Sequence, residues 1–431
     1  MQVITFALLL ITNYTMRLFI FFLVFAFSYS NYAQVAEESL PPNFIRSIQL
    51  TGNNAGNTGN PIIRLGESLN LSFDDIIGDD ANYYYTFTHY NFDWTPSQLS
   101  KNEYLIGFDN IRILNTQNGF NTLQPYTHYQ LTIPNKNTQG FKVTGNYLLS
   151  IYNDSKELVF SRKFMVYNPI AQVGAVVKRS RDVRFINKRQ SVNFSVDSPD
   201  FLLKNPDENV QIVLLQNYNL KTAIFSLKPQ YTIASELIYR YDLESSFPGG
   251  NEFVQFDTKD IRLTNSDITS AELEELYHHY LFLDFTRANE PYTYNPDVNG
   301  GFIIRNLQAQ NSDIEADYSW IHFRLKNHDI IENGQIHLYG AFNNFELDAS
   351  TRLNYNEDTG YYENARLFKQ GFYNYKYVLL NADGSLDEGF ISGNFDETEN
   401  EYTILVYYRS PGARYDQIIG VGSTNSRNIS N

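Results

Sequence analysis

The stretch Gly145-Asn146-Tyr147-Leu148-Leu149-Ser150-Ile151-Tyr152-Asn153-Asp154-Ser155-Lys156, which runs on into Glu157–Tyr167, decides the fold class. Tyr147–Tyr152 and Glu157–Tyr167 have the apolar content and length of strands. Asn153, Asp154, Ser155 and Lys156 between them are turn formers, so the segment predicts a β-hairpin. The same grammar extends outward. Leu69, Leu71 and Phe73 fall on one side of an extended chain, with Asn70 and Ser72 on the other. Tyr83, Tyr85 and Phe87 share a face against Tyr84, Thr86 and Thr88. Downstream, Val192, Phe194 and Val196 alternate, and Val210–Leu215 predicts a buried strand. With 33 Tyr and 32 Phe in 431 residues, 42% hydrophobic and 19% charged, the composition is that of a folded chain whose aromatic excess favours strands.

Composition also excludes. There is no cysteine, which removes disulfides, thiolate metal sites, cysteine catalysis and a lipid anchor on cysteine. A net charge of −15 argues against non-specific nucleic-acid binding, which needs a basic field. It also makes any local basic patch conspicuous.

Near the N-terminus, Met16-Arg17 and the apolar run Leu18–Phe27 have the form of a signal peptide, residues 16–33, with cleavage expected after Ala33 and Ser30 as second choice. Residues 1–15 are expected to be an upstream-start extension; an uncleaved N-terminal anchor is the other reading. The run is short for a membrane span.

The rest divides into three β-rich blocks: 43–167, 168–306 and 318–410, with a polar linker at 307–317 and a Gly-, Ser- and Asn-rich tail at 411–431. Gly145-Asn146-Tyr147 resembles the late strand of immunoglobulin-like sandwiches, in which a tyrosine packs inward and its hydroxyl bonds back to the main chain. Gly371-Phe372-Tyr373 repeats that pattern, and Ala382-Asp383-Gly384-Ser385 predicts a hairpin turn. Ser270–Tyr280 is the one helix expected, with Ser270 as cap, acidic residues near its start and Leu273, Leu276 and Tyr280 on one face. The expected fold class is therefore all-β: an array of three immunoglobulin-like or E-set-type β-sandwiches with one short connector helix.

Few residues point to chemistry. His278 and His279 are neighbours on the expected helix and diverge; His89 and His128 sit among aromatics and are expected to be packed. There is no His-Glu-x-x-His and no Gly-x-Ser-x-Gly. Asp74-Asp75-Ile76-Ile77-Gly78-Asp79-Asp80 is expected to be a solvated turn, with calcium binding as the lesser reading because the ligand spacing of an EF-hand loop is missing. The densest basic stretch holds Lys178, Arg179, Arg181, Arg184, Lys188 and Arg189. It is either a docking patch for an acidic partner or a solvated hairpin. Tyr90, Phe92 and Trp94 are candidate aromatic anchors, although Asp93-Trp94-Thr95-Pro96 also fits a tight turn with Trp94 buried. No catalytic, cofactor or metal residue is assigned. Ile336–Phe345 is similar to the start of glycogen-binding-type carbohydrate modules, with Phe345 where those carry Trp.

One resemblance is longer. Pro61-Ile62-Ile63-Arg64-Leu65-Gly66-Glu67-Ser68-Leu69 leads into Tyr83-Tyr84-Tyr85-Thr86, His89, Asn91 and Asp93-Trp94-Thr95-Pro96-Ser97. Gly107-Phe108, Phe120–Tyr129, Pro134-Asn135 and Gly145-Asn146-Tyr147 then follow in order. This resembles the plug family of the type IX secretion system, and the likeness continues through the basic stretch to Arg414-Tyr415-Asp416. It implies a periplasmic, non-enzymatic protein without cofactors. It further implies a single copy in a hetero-complex that docks on and seals the inner mouth of a very large outer-membrane β-barrel translocon. A carbohydrate-binding sandwich is the alternative.

Overall fold

The computed structural model describes residues 35–52, 60–327, 331, 333–427 and 429. The expected signal segment 16–33 and residues 1–15 lie outside the described residues. Strands dominate, and among the described residues no helix is longer than four residues.

The first block packs two sheets over one core. Leu69–Asp75 pairs antiparallel with Thr127–Ile133, setting Leu71 beside Leu131 and Phe73 beside Tyr129. Facing them, Gly145–Tyr152 lies between Tyr84–Tyr90 and Leu158–Tyr167. Alternation aims Phe73, Phe87, Tyr147, Leu149, Phe160 and Phe164 into the space between, where all are fully buried. The hairpin turns at Asn153–Lys156, as its residues demand, with Lys156 at φ 64°. Tyr147 donates its hydroxyl to the Val143 carbonyl at 2.8 Å, and Tyr373 does the same to Lys369 at 2.7 Å. Each tyrosine follows a glycine that the fold requires. Gly145 sits at φ 143°, and a Cβ there would stand 2.4 Å from His89 Nε2; a Cβ on Gly371 would stand 2.3 Å from the Ile303 carbonyl oxygen. Tyr147→Phe, which leaves the half-buried Val143 carbonyl without this donor, is expected to lower stability by about 0.5–1.5 kcal/mol in urea unfolding; an unchanged midpoint would show the bond to be dispensable.

The second core departs from the expected boundaries. Val192, Val196, Ile212 and Leu214 are joined by Tyr402, Ile404, Val406 and Ile419, drawn from the expected third block and tail. Val210–Gln216 pairs with Glu401–Tyr408, which pairs with Gln417–Asn425. The tail therefore contains a buried strand: its Gly and Ser residues flank Ile418 and Ile419, both fully buried. Gly420 and Gly422 let this strand lie close to Ala171 and Val173.

The third core is inserted into the second. The chain leaves near Gly250 and returns beside it, where Phe395 N–H donates to the Gly250 carbonyl at 2.8 Å. Val254–Asp257 pairs with Gly371–Asn381, and Tyr277–Leu281 runs parallel to Tyr318–Lys326. Phe256, Ile268 and Leu281 thus share a core with Ile321, Phe323 and Tyr375, and the expected boundary at 306/318 separates nothing. The expected linker is docked on the first block. Ile314 accepts from Phe120 N–H at 2.8 Å, and Asp317 accepts from the main chain of Leu123 and Gln124 at 2.6 and 3.1 Å. Its C-terminal half, Ile314 to Asp317, makes these bonds, while Gln308, Gln310 and Asn311 stay exposed.

Ser270–Tyr280 is not a helix. Ile268–Leu273 and Tyr277–Leu281 form an antiparallel hairpin with Glu272 opposite His278. The helical spacing of Leu273, Leu276 and Tyr280 is outweighed by burial of Ile268, His279 and Leu281 against the neighbouring sheet, and Leu273 is left exposed.

One sheet spans the first and second cores. Tyr167 bridges in parallel to Ile418, so eight strands run in one order from one block into the other, with Ile62–Arg64 attached to Leu158–Tyr167 as the ninth of the sheet. The seam is apolar, with Ile62, Met165, Val213, Leu215, Leu405 and Tyr407 packed together, and Tyr407 donates its hydroxyl to Asn146 Oδ1 at 2.7 Å.

Candidate functional site

The basic stretch is the loop of a β-hairpin. Gln172–Arg179 pairs with Arg189–Asp197, placing Lys178 opposite Ser191 and Arg179 opposite Gln190. Ser180 is buried and donates to Asp242 at 3.3 Å, anchoring the loop's first corner. Phe185 N–H bonds the Asp182 carbonyl, and Arg184 and Arg189 lie over the Phe185 ring at 5.2 and 5.9 Å. The loop base is held where the inserted unit enters and leaves: Gly249 N–H donates to Lys188, and Asp396 N–H to Asn187.

The six basic residues are not equivalent. Arg179 pairs with Asp396 at 2.6 Å, and Arg189 donates to the Ser246 hydroxyl and carbonyl at 2.8 and 2.6 Å. Both belong to the scaffold. Arg184 pairs with Asp182 inside the loop at 2.6 Å, and these bonds hold the Asp182 carboxyl down to about 2. Lys178 is half-buried, while Arg181, Arg184 and Lys188 are exposed around Val183, itself 85% exposed. The usable patch is smaller than the sequence suggests, and it carries an apolar tip.

Trp94 is not part of it. It is 5% exposed, at φ 62° in its turn, packed in the apolar seam with the Lys163 ammonium 4.4 Å from its ring centroid. The turn reading holds for this residue, and its burial takes it out of the set of exposed anchors. Tyr90 and Phe92 are half-buried in the same seam.

The acidic run is divided. Asp79 and Asp80 are exposed, but Asp74 and Asp75 are buried at the end of a strand, contrary to the solvated turn expected. Asp75 accepts from the Tyr83 hydroxyl at 2.7 Å. Asp74 meets His128 Nδ1 at 2.5 Å, the Tyr318 hydroxyl at 2.6 Å and Lys369 Nζ at 2.7 Å. His89 contacts the Thr144 carbonyl at 3.2 Å, and burial pushes it down to about 4. His279 bonds the Ile261 carbonyl at 2.9 Å, whereas His278 turns the other way and meets His322. Among the described residues no three His, Asp or Glu side chains are grouped to hold a metal. Phe345 is 6% exposed beneath Phe253 and Tyr339, so it offers no face for a sugar.

Comparison with known proteins follows this geometry. Residues 45–168, the first block, match the family model described as type 9 secretion system plug protein 1st domain. A crystal structure of a hypothetical protein from Parabacteroides merdae is similar at 32% identity and a TM-score of 0.85, over 90% of this chain and 98% of that one. The three N-terminal domains of the outer capsid protein Hoc of bacteriophage RB49 align at 10% identity over 90% of this chain and 97% of that one, with a TM-score of 0.14 that carries no argument. No curated protein matches.

Proposed function

Because the chain belongs to the type 9 secretion system plug protein family, we propose that it docks on the periplasmic mouth of the outer-membrane translocon barrel and closes it while no substrate is engaged. The observation that carries this reading is the match over residues 45–168, the block that holds the ordered run from Pro61 to Tyr147. A rigid body suits the task, and the continuous nine-stranded sheet supports one. Among the described residues no helix is long and apolar enough to cross a membrane. Export by the signal segment 16–33 belongs to the same proposal. The work is gating by contact, with no bond chemistry.

The loop around Val183 is the proposed docking element, with Arg181, Arg184 and Lys188 setting orientation and encounter rate against an acidic rim. Arg181, Arg184 and Lys188 changed together to Glu are expected to abolish co-purification of a very large outer-membrane barrel with the tagged protein from mild detergent. The melting temperature should move little, because all three are exposed and the Arg184–Asp182 pair lies at the surface. Retention of the barrel by this variant would remove the loop from the interface. Recovery of the wild-type protein without any barrel would overturn the plug reading itself. Phe345, being buried, gives the carbohydrate alternative no stacking face at that position.

A further inference from the structure

A second basic feature lies elsewhere, in a groove of about 1020 Å³ between the first block and the inserted unit. Four arginines line it, Arg46, Arg324, Arg352 and Arg366, against Glu357 and Glu363. Six other arginines of the chain pair with a carboxylate. Among the described residues, none of these four does. The Nε atoms of Arg46 and Arg324 are buried with no hydrogen-bond partner. Arg366 reaches Ser350 Oγ and lies over the Phe342 and Phe368 rings at 5.5 and 5.9 Å. Burial and the neighbouring Arg46 guanidinium pull Arg366 down to about 10, with Asp348 opposing them. In a chain of net charge −15, unpaired guanidinium groups gathered at one place mark a site short of an anion.

The wall of the groove says which kind of anion. Tyr361–Lys369 pairs with Tyr318–Lys326 along its length on one side. On the other side it pairs with Asn354–Asn356 only from Tyr361 to Glu363. Residues 363–367 all line the groove, so it is bordered by the edge of this strand and not by one face. Beyond Glu363 no strand among the described residues joins that edge, and its one lateral partner is the segment Ser350–Arg352, whose carbonyls accept from the Asn364 side chain at 3.1 and 2.8 Å. Trp320 and Tyr280 add aromatic surface.

We propose that this groove binds an extended acidic polypeptide segment, whose backbone runs along the edge of Tyr361–Lys369 beyond Asn364 and whose carboxylates pair with Arg46, Arg324, Arg352 and Arg366. Planar guanidinium forks match carboxylates two bonds at a time, and alternate side chains of an added strand point to the same side. The inference stands apart from the plug reading, because it concerns the isolated chain and a different surface.

The test is calorimetric titration of the purified full chain with a capped alternating Glu-Thr decapeptide, in parallel with tryptophan fluorescence to report on Trp320. A Gln-Thr decapeptide and a heparin-derived tetrasaccharide serve as the other arms. The acidic peptide is expected to bind, more weakly as salt rises, and the Gln-Thr peptide to bind at least about tenfold more weakly. R352E is expected to weaken the acidic peptide about tenfold or more. Arg352 is exposed, and its side chain makes no hydrogen bond or ion pair among the described residues, so this variant keeps its fold where R46Q or R366Q could fail to. Equal binding of the two peptides, an R352E affinity equal to wild type, or binding of the tetrasaccharide alone would each overturn the proposal.

Discussion

An Asp74→Asn protein is expected to be less stable than wild type by about 3–5 kcal/mol at neutral pH. Asp74 and Lys369 are 0% and 1% exposed in their side chains and 2.7 Å apart. Asn keeps the shape but removes the charge, leaving the Lys369 ammonium enclosed against the Tyr126 ring at 4.2 Å without its anion. The pair joins the first block to the inserted unit, so the loss falls on the contact between them. Burial alone would raise the Asp74 carboxyl, but Lys369 and His128 outweigh it and hold it below the usual range. A depressed carboxylate contributes stability above its unfolded value of about 3.9, and that contribution is lost as pH falls through the lower native value. The gap between wild type and Asp74→Asn should therefore be widest near neutrality and close in strong acid. Urea unfolding at a series of pH values measures it, and a gap under about 1 kcal/mol at pH 7 would show the pair to be idle. The double variant Asp74→Leu, Lys369→Met should cost less than either single change, since no charge is then left buried alone.

A chain ending at Pro411 is expected not to fold. It lacks Gln417–Asn425, which lies between Glu401–Tyr408 and Leu158–Tyr167 in the shared sheet. Ile418 and Ile419 are fully buried, each contributing about 1.5–3 kcal/mol by burial. The main-chain pairing to Glu401–Tyr408 is lost as well. Native domains have roughly 5–15 kcal/mol in hand, so the sum is enough to unfold the second core and open the seam with the first. Ile419→Ala alone should cost about 2–5 kcal/mol. Soluble yield and the thermal midpoint decide the matter; a truncated chain that melts as wild type does would place the strand outside the cooperative unit.

What could be read ahead of the structure was local. Alternation at Leu69–Phe73, Tyr83–Phe87 and Val192–Val196 placed strand faces correctly, and Gly-x-Tyr at 145 and 371 announced two tyrosines bonded to the main chain, because each signal lies within a few residues. What escaped depends on distant partners. Polarity around Asp74 suggested water, but its counter-ion is 295 residues away. Gly, Ser and Asn in the tail gave no strand signal, but Val210–Gln216 and Glu401–Tyr408 build the sheet edge that Gln417–Asn425 joins. The helical spacing at Ser270–Tyr280 was an accident of two short strands. The basic stretch was visible as a run, although its division into scaffold and exposed tip is set by Asp396, Ser246 and Asp182. The arginine groove left no trace, since its four members come from positions 46, 324, 352 and 366.

The sheet that crosses from the first core to the second bears on timing in the proposed role. Strands bonded across a seam leave no flexible joint there, so the body cannot swing ajar while still attached. Its states at a pore mouth reduce to seated and departed. The closed interval then follows the dissociation rate, and the open interval follows how soon a free copy is recaptured, which scales with its local concentration. Doubling the amount of protein in the compartment should halve the open dwell and leave the closed dwell alone, whereas the open dwell of a hinged gate would not change with concentration. Single-channel recording across a range of protein concentrations reads both intervals directly.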